Sequence, residues 1–574
     1  MKTKATMENQ RGRQEAALFS RGPERALTVF LTVSVFLFGL YPYWCALLSG
    51  AFLVLLLCFT VKKGQTIVFP LSMPAVAICT AVLFYLLSVC WAVDRGMALL
   101  GFLKYLSVPL LIILSPTIGA DRERLLRALA QAGGFSVPIC LVLCAVPQLR
   151  GLLFPDGRFS GPFQYANAYG LFLLACIVIL CVKKMPLKLD YVLCALSALG
   201  VFLTGSRSLL ILAIAVFALL FFINWRVVLA SASGVMAAVL LSLLFALIGA
   251  LQRSIDISFT SGEWLTRLAY YQDGLRLVIE RPFGLGHLGW WYIQPVVQTS
   301  VYDVRLIHNW FLQTALDIGV IPALFLVAAA VMLFFHKGHG LREKMLIALI
   351  LGHGLIDFDL AYLPVVFILV LLLPTDHPVK LRVADKRLNM PLVLCSLMVA
   401  VLLWLSTASF LSFAGRDKAA AALYPIYTEA MEKTIITEPD PDQAFFWADK
   451  ILSRNQYVFD AYDVKAKIYA DRGLWAEAVA MKQAFLSVSR LQGHDYDELL
   501  MYIHFAIQQS AAADDIDTCR DLADLALDVP GTLKEVDDFL NPLAYRLKHQ
   551  PTLTLSEDSM RFLAYLQEFR PTMG

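Results

Sequence analysis

The stretch RLIHNWFLQTALDIG, residues 305–319, is where a long polar run gives way to an apolar one. The polar run, residues 250–307, lies between two apolar segments. Its five basic residues are all arginine: Arg253, Arg267, Arg276, Arg281 and Arg305. A lysine offers a mobile point charge, whereas a guanidinium forks around paired phosphate oxygens and keeps its charge. His308 stands where the chain re-enters the apolar segment. A lysine-free loop of arginines with a histidine at its rim has the composition of a site for a diphosphate. The alternative is that the arginines pair with the five acids of the same loop, Asp256, Glu263, Asp273, Glu280 and Asp303, and only hold it in shape.

Outward from that loop the chain has the composition of a polytopic membrane protein. Hydrophobic residues make up 59% of its 574 residues and charged ones only 16%, where soluble proteins carry about a quarter. Residues 1–25 are basic on balance and lack the apolar core and cleavage site of a signal peptide, so a cytoplasmic N-terminal tail is expected. Ten of the eleven cysteines lie in apolar segments, with Cys519 the exception. That distribution fits neither a disulfide framework nor a zinc cluster, so no metal and no cofactor are expected. The net charge of +3 hides an asymmetry, because residues 415–574 carry 16 Lys and Arg against 26 Asp and Glu. The tail is acidic and the membrane part basic. No nucleic-acid partner is expected.

Apolar runs of about 20 residues, the length of a membrane crossing, occur near 26–41, 43–61, 75–93, 98–118, 127–147, 165–182, 188–205, 207–223, 227–249, 309–335 and 391–413. The basic links are Lys62-Lys63, Arg122 with Arg124 and Arg127, Lys183-Lys184 with Lys188, and Lys337 to Lys344. They alternate with links poor in lysine, and the positive-inside rule assigns them to the cytoplasm. Residues 94–97, 148–164, the 205–207 turn and the 250–307 loop then lie outside. The run MLIALILGHGLIDFDLAYLPVVFILVLLLP, 345–374, is interrupted by His353, Asp357 and Asp359. Ionisable groups at membrane depth line a cavity or sit where the chain turns, so two short spans joined by an outer turn at IDFDL are expected. Lys380, Arg382, Lys386 and Arg387 then lie inside, and the last span delivers the tail to the outer face. A single tilted span would reverse the tail's side.

The acidic tail has helical periodicity. From Asp460, DAYDVKAKIYADRGLWAEAVAMKQAFLSVSR sets Ala466, Tyr469, Gly473, Ala476, Ala478 and Phe485 at offsets resembling a tetratricopeptide (TPR) repeat. Helices at 441–455, 496–511, 515–528 and 556–568 would stack on it. An irregular helical bundle is the alternative. The expected fold class is all-α: a polytopic membrane helix bundle of about 12–13 spans, residues 26–413, followed by a soluble α-helical TPR-like domain, residues 415–574.

Three outward clusters must meet if the helices bundle. In GRFSGPFQYAN, Arg158 precedes a Gly-Pro turn, and Tyr165 and Asn167 open the next span. Amide and phenol groups there suit sugar hydroxyls or phosphate oxygens. In TGSRS, Arg207 begins a span, where an arginine also commonly snorkels to the interface. In the large loop, Trp264, Leu268, Tyr271, Leu275 and Val278 form the stripe of an amphipathic helix lying on the membrane, with Glu263 and Arg267 at pairing distance in sequence.

The order GRFSGPFQYAN, TGSRSLL, RLAYYQDGLRLVIERPFGLG, IHNWFLQTALDIGVIPAL resembles the O-antigen ligase and polymerase superfamily of bacterial glycan enzymes over most of residues 26–413. The resemblance implies a metal-independent membrane glycosyltransferase of the bacterial cytoplasmic membrane. Its donor would be a polyprenyl-diphosphate-linked glycan, used at the outer face. It implies that His308, Arg267 and Arg207 are catalytic and that Arg158, Tyr165, Asn167, Arg276 and Asn309 bind substrate. The acceptor is a glycolipid, a glycan or a protein, and the TPR-like tail is a docking surface for a protein partner. Fixed arginines would stabilise the departing diphosphate, and His308 would take the acceptor's proton. The rivals are a polymerase of lipid-linked repeat units, a glycan flippase or transporter, for which no internal repeat is seen, and an inert scaffold.

Overall fold

The computed structural model describes residues 22–62, 66–181, 186–247, 262–382 and 389–569. Residues 1–21 of the expected N-terminal tail, Lys63, Lys183, Lys184, Arg253, Asp256, Lys386 and Arg387 lie outside the described residues. The fold is all-α. Among the described residues one sheet forms, pairing Ile67–Pro70 antiparallel with Pro378–Leu381.

Among the described residues five helices are long and apolar enough to cross a membrane: Tyr43–Lys62, Arg95–Thr117, Arg122–Leu143, Arg207–Leu243 and Met390–Phe413. Met73–Ser88, Ala166–Cys181 and Val320–Phe334 are shorter apolar helices. Several are apolar all round, which suits a lipid-facing or fully buried helix and not one on a wet surface. Phe222 is 87% exposed, Met390 72% and Ile214 71%. Apolar surface left open on that scale needs hydrocarbon around it.

The helix breaks have local causes. Arg207–Leu247 is interrupted at Asn224, whose φ of −154° and ψ of 81° are not helical. Beyond that break, a Cβ at Gly234 would lie 1.9 Å from the Ala195 carbonyl oxygen, so this half runs against Lys188–Leu203. The expected single span 309–335 is two helices, Trp310–Ile318 and Val320–Phe334. Gly319 separates them with φ of 96°, a conformation open to glycine and disfavoured by any side chain. The run 345–374 also divides, into helices Leu341–His353 and Leu363–Leu371, with Asp359–Ala361 as a short 3-10 turn between.

The loop helix Gly262–Glu280 buries Ala269, Tyr270, Asp273, Gly274 and Leu277 on one face. Trp264, Leu268, Leu275 and Ile279 are exposed on the other. That leaves an apolar edge, as an interfacial helix has.

The tail follows as helices Asp417–Leu423, Thr428–Thr437, Pro441–Leu452, Phe459–Asp471, Trp475–Val488, Gly493–Ala512, Ile516–Phe539 and Glu557–Phe569. Its core does not begin at residue 415. Ala420, Tyr424, Met431, Trp447 and Val458 belong to the same buried cluster as the membrane helices. A second cluster starts at Ala466 and runs through Tyr496, Ile503, Ala523 and Leu566.

Candidate active site

Four segments distant in sequence converge on Asp357, in the turn between Leu341–His353 and Leu363–Leu371. Tyr165 OH donates to its Oδ1 at 2.8 Å and Asn167 Nδ2 donates to its Oδ2 at 2.6 Å. Arg158 stands behind Asn167, with Nη2 donating to Asn167 Oδ1 at 2.7 Å and Nε to the Thr204 carbonyl at 2.9 Å. From the loop helix, Arg267 Nη1 donates to the Ile356 carbonyl at 2.6 Å. Tyr271, one turn further on, donates its hydroxyl to the His308 carbonyl. The His308 ring packs edge-on against Phe358, with centroids 5.1 Å apart, and Trp310 N donates to the Gly354 carbonyl at 2.8 Å.

The electrostatics follow from this packing. Burial works against the Arg267 guanidinium, yet Tyr270, Asp357, Tyr165 and Tyr271 around it outweigh burial and hold it charged. Burial pulls His308 down to about 4, with Asp357 opposing and Arg267 adding to the fall. His308 Nδ1 is buried with no hydrogen-bond partner among the described residues. The site therefore pairs a permanent cation with a neutral imidazole beside a fixed carboxylate.

The remaining residues expected from the sequence fall elsewhere or do other work. Arg207 begins its helix with an exposed side chain. Its neighbour Ser208 lies 3.0 Å from His353 Nε2, and His353 Nδ1 lies 2.5 Å from Asp359 Oδ2. Asn309 caps the helix Trp310–Ile318, its Oδ1 accepting from Leu312 N at 3.0 Å. Arg276 sits apart from the cluster. Its Nη2 donates to the Val297 carbonyl at 2.6 Å and its guanidinium lies 5.3 Å from the Phe539 ring. It also lies 3.6 Å from Asp273, which accepts from Thr299 and Tyr302. Arg305 pairs with Glu429 of the tail. Packing commits Arg276 and Arg305 to these contacts within the protein. The expected Glu263–Arg267 pair cannot be followed, since the Glu263 side chain lies outside the described residues.

Sequence reasoning reads His353, Asp357 and Asp359 only as marking an outer turn, although two acids at membrane depth were a signal for more. It passed over a second buried network altogether. Asp317 accepts from Tyr85 OH at 3.0 Å and from Gln313 Nε2 at 2.7 Å, and lies 3.3 Å from His287 Nδ1. His287 Nε2 lies 2.9 Å from Tyr43 OH. Among the described residues no cluster of His, Cys, Asp and Glu has the arrangement of a metal site.

Residues 192–335 match the O-antigen ligase family (Wzy_C). No curated protein and no solved structure matches the chain. The matched stretch contains Arg207, Arg267, Arg276, His308 and Asn309, while Arg158, Tyr165, Asn167 and Asp357 lie outside it. Residues 192–335 thus carry an O-antigen ligase family domain, which supports a membrane glycosyltransferase of the ligase/polymerase type.

Proposed function

We propose that the protein transfers a glycan from a polyprenyl diphosphate to an acceptor hydroxyl at the outer face of the bacterial cytoplasmic membrane, without a metal ion. The convergence of Arg158, Tyr165, Asn167, Arg267 and His308 on the Asp357 turn supports this reading above all. In the reaction the bond from the sugar's anomeric carbon to the diphosphate breaks, and a bond to the acceptor oxygen forms. The acceptor proton passes to His308, and the diphosphate leaves with its charge met by Arg267 and the exposed Arg207. Charge that is greatest on the leaving group is stabilised more in the transition state than in the bound substrate.

A histidine near 4 is a weak base in the donor-free protein. The arriving diphosphate neutralises Arg267, which is one cause of that depression, and its negative charge favours imidazolium. Donor binding thus tunes the base towards working pH, where general catalysis is most effective. Asp357, held on both oxygens, is in place to stabilise the imidazolium as it forms. Arg158 acts through Asn167, and Asn309 through the helix it caps.

The tail, residues 415–574, is read as a TPR-like module on the outer face that recruits a partner. A polymerase of lipid-linked repeat units would use the same donor and the same cations, and differs in its acceptor.

The test uses purified protein in nanodiscs, lipid-linked glycan extracted from a deletion strain as donor, and that strain's membranes as acceptor source. His308→Ala should bind donor as the unaltered protein does and transfer about 10²–10⁴-fold more slowly. Arg267→Lys keeps the charge and loses the fork, and should lose about 10²-fold or more. Chelators should change nothing. Normal turnover by the histidine variant, or failure only because donor no longer binds, would overturn the assignment of His308 as the base.

A further inference from the structure

The backbone that carries His308 is held from both sides by groups the transfer step does not itself use. Behind it, Gln313 Oε1 accepts from Ile307 N at 2.7 Å, and Gln313 is in turn tied to Asp317. Ahead of it, Arg305 leaves the loop and forks onto Glu429 in the tail helix Thr428–Thr437. Arg305 Nη1 donates to Oε1 at 3.1 Å and Nη2 to Oε2 at 2.8 Å. Lys433 Nζ lies 3.3 Å from the same carboxylate. A bidentate guanidinium–carboxylate pair fixes orientation as well as distance.

The helix bearing Glu429 is itself seated on the membrane part. Tyr424 OH donates to the Gly96 carbonyl at 2.9 Å, and Asn455 Nδ2 donates to Asp94 Oδ2 at 3.1 Å. A Cβ on Gly96 would fall 1.7 Å from the Ile426 carbonyl oxygen. The seat leaves no room for a side chain, so the backbones there are in direct contact. Glu429 is therefore a fixed point, and Arg305 transmits it to a segment that reaches His308 three residues later.

We propose that Glu429 is a positioning residue for glycan transfer: by clamping Arg305 it sets the segment 305–308 and with it the His308 ring, so the head of the tail is part of the active site. The proposal rests on the reading of His308 as proton acceptor. It also assigns Arg305 a partner other than the donor, because its fork is already filled by a carboxylate.

The experiment uses the full chain in a deletion strain and reads accumulated polyprenyl-diphosphate-linked glycan. A Thr299→Cys/Asn541→Cys pair serves in parallel as a crosslink reporting that the tail remains seated, since Asn541 N donates to the Thr299 carbonyl at 2.9 Å. Glu429→Gln should accumulate donor as His308→Ala does, at normal protein level and with the crosslink intact. The exchange Arg305→Glu/Glu429→Arg rebuilds the pair in reverse and should clear a large part of the donor again. In spheroplasts, the acid limb of donor consumption should move upward in Glu429→Gln, because a loosened 305–308 segment admits water to His308; a residue that only stabilised the tail would leave that limb in place. If His308→Ala clears donor normally, the functional reading falls. If His308→Ala accumulates donor while Glu429→Gln clears it, or if the exchanged pair stays inactive with the tail seated, Glu429 does not position the site.

Discussion

Because burial brings His308 down to about 4, its ring is neutral across physiological pH, and protonating it opposes the fold. The sign can be followed from the two states. An unfolded histidine titrates near 6.5, so between that value and about 4 the unfolded chain binds the extra proton and the folded one does not. The stability this residue contributes is complete above pH 6.5 and is lost as the pH falls towards 4. Many carboxylates titrate lower in the same range, so a comparison isolates the histidine. Thermal unfolding of the detergent-solubilised protein should lose about 1–3 kcal/mol more between pH 6.5 and 4 than His308→Gln does. Superimposable curves for the two proteins would show that His308 is not buried as described.

At the scale of elements, the turn Pro282–Leu288 is fastened to the broken span by two glycines. Gly284 N donates to the Arg281 carbonyl at 2.9 Å, and Val320 N donates to the Pro282 carbonyl at 2.9 Å. A Cβ at Gly319 would lie 2.8 Å from that same Pro282 oxygen, and one at Gly284 would lie 2.6 Å from Gly319 N. Gly319→Ala combines this collision with a φ of 96° and should destabilise by about 1–3 kcal/mol or more. A melting temperature equal to that of the unaltered protein would refute the close approach. This break was not legible in the sequence, because a lone glycine in an apolar run is common in membrane helices. The break within 345–374 was legible, since His353, Asp357 and Asp359 carry a desolvation cost that only a turn or a cavity relieves. The site divides in the same way. Arg158, Tyr165, Asn167 and His308 stand at span mouths and Arg267 on the amphipathic loop helix, and their grouping could be read from local motifs. The partner of Arg305 lies 124 residues away, and no local pattern announces a pairing that depends on how the tail is seated.

On the scale of the whole molecule, the described links between helices fall into two sets, each joined within itself. One set holds the basic links. Ile67–Pro70 pairs with Pro378–Leu381, Arg342 meets Glu123 at 2.7 Å, Arg122 donates to the Leu373 carbonyl, and Arg127 meets Asp190 at 2.6 Å. The other set holds the loop residues 262–307, the turn at Asp357, and the links at 91–96 and 158–167, with Val93 N donating to the Leu285 carbonyl at 2.8 Å. The tail touches only members of this second set in the contacts described above, through Arg305, Gly96, Asp94 and Thr299, and further through Arg490 Nη2 on the Val296 carbonyl at 3.1 Å. Tail and loop therefore share a side whatever that side is, and the positive-inside rule leads us to expect the basic set in the cytoplasm. A phosphatase active only outside the cytoplasm, fused after Gly574, should be active, and a cytoplasmic fluorescent reporter inserted at residue 385 should fluoresce. If the phosphatase is silent while a fluorescent reporter at the same terminus works, a local error at 345–374 would not explain it. The loop and His308 are tied to the tail, so the orientation of the entire bundle, and the outer-face reaction with it, would be reversed.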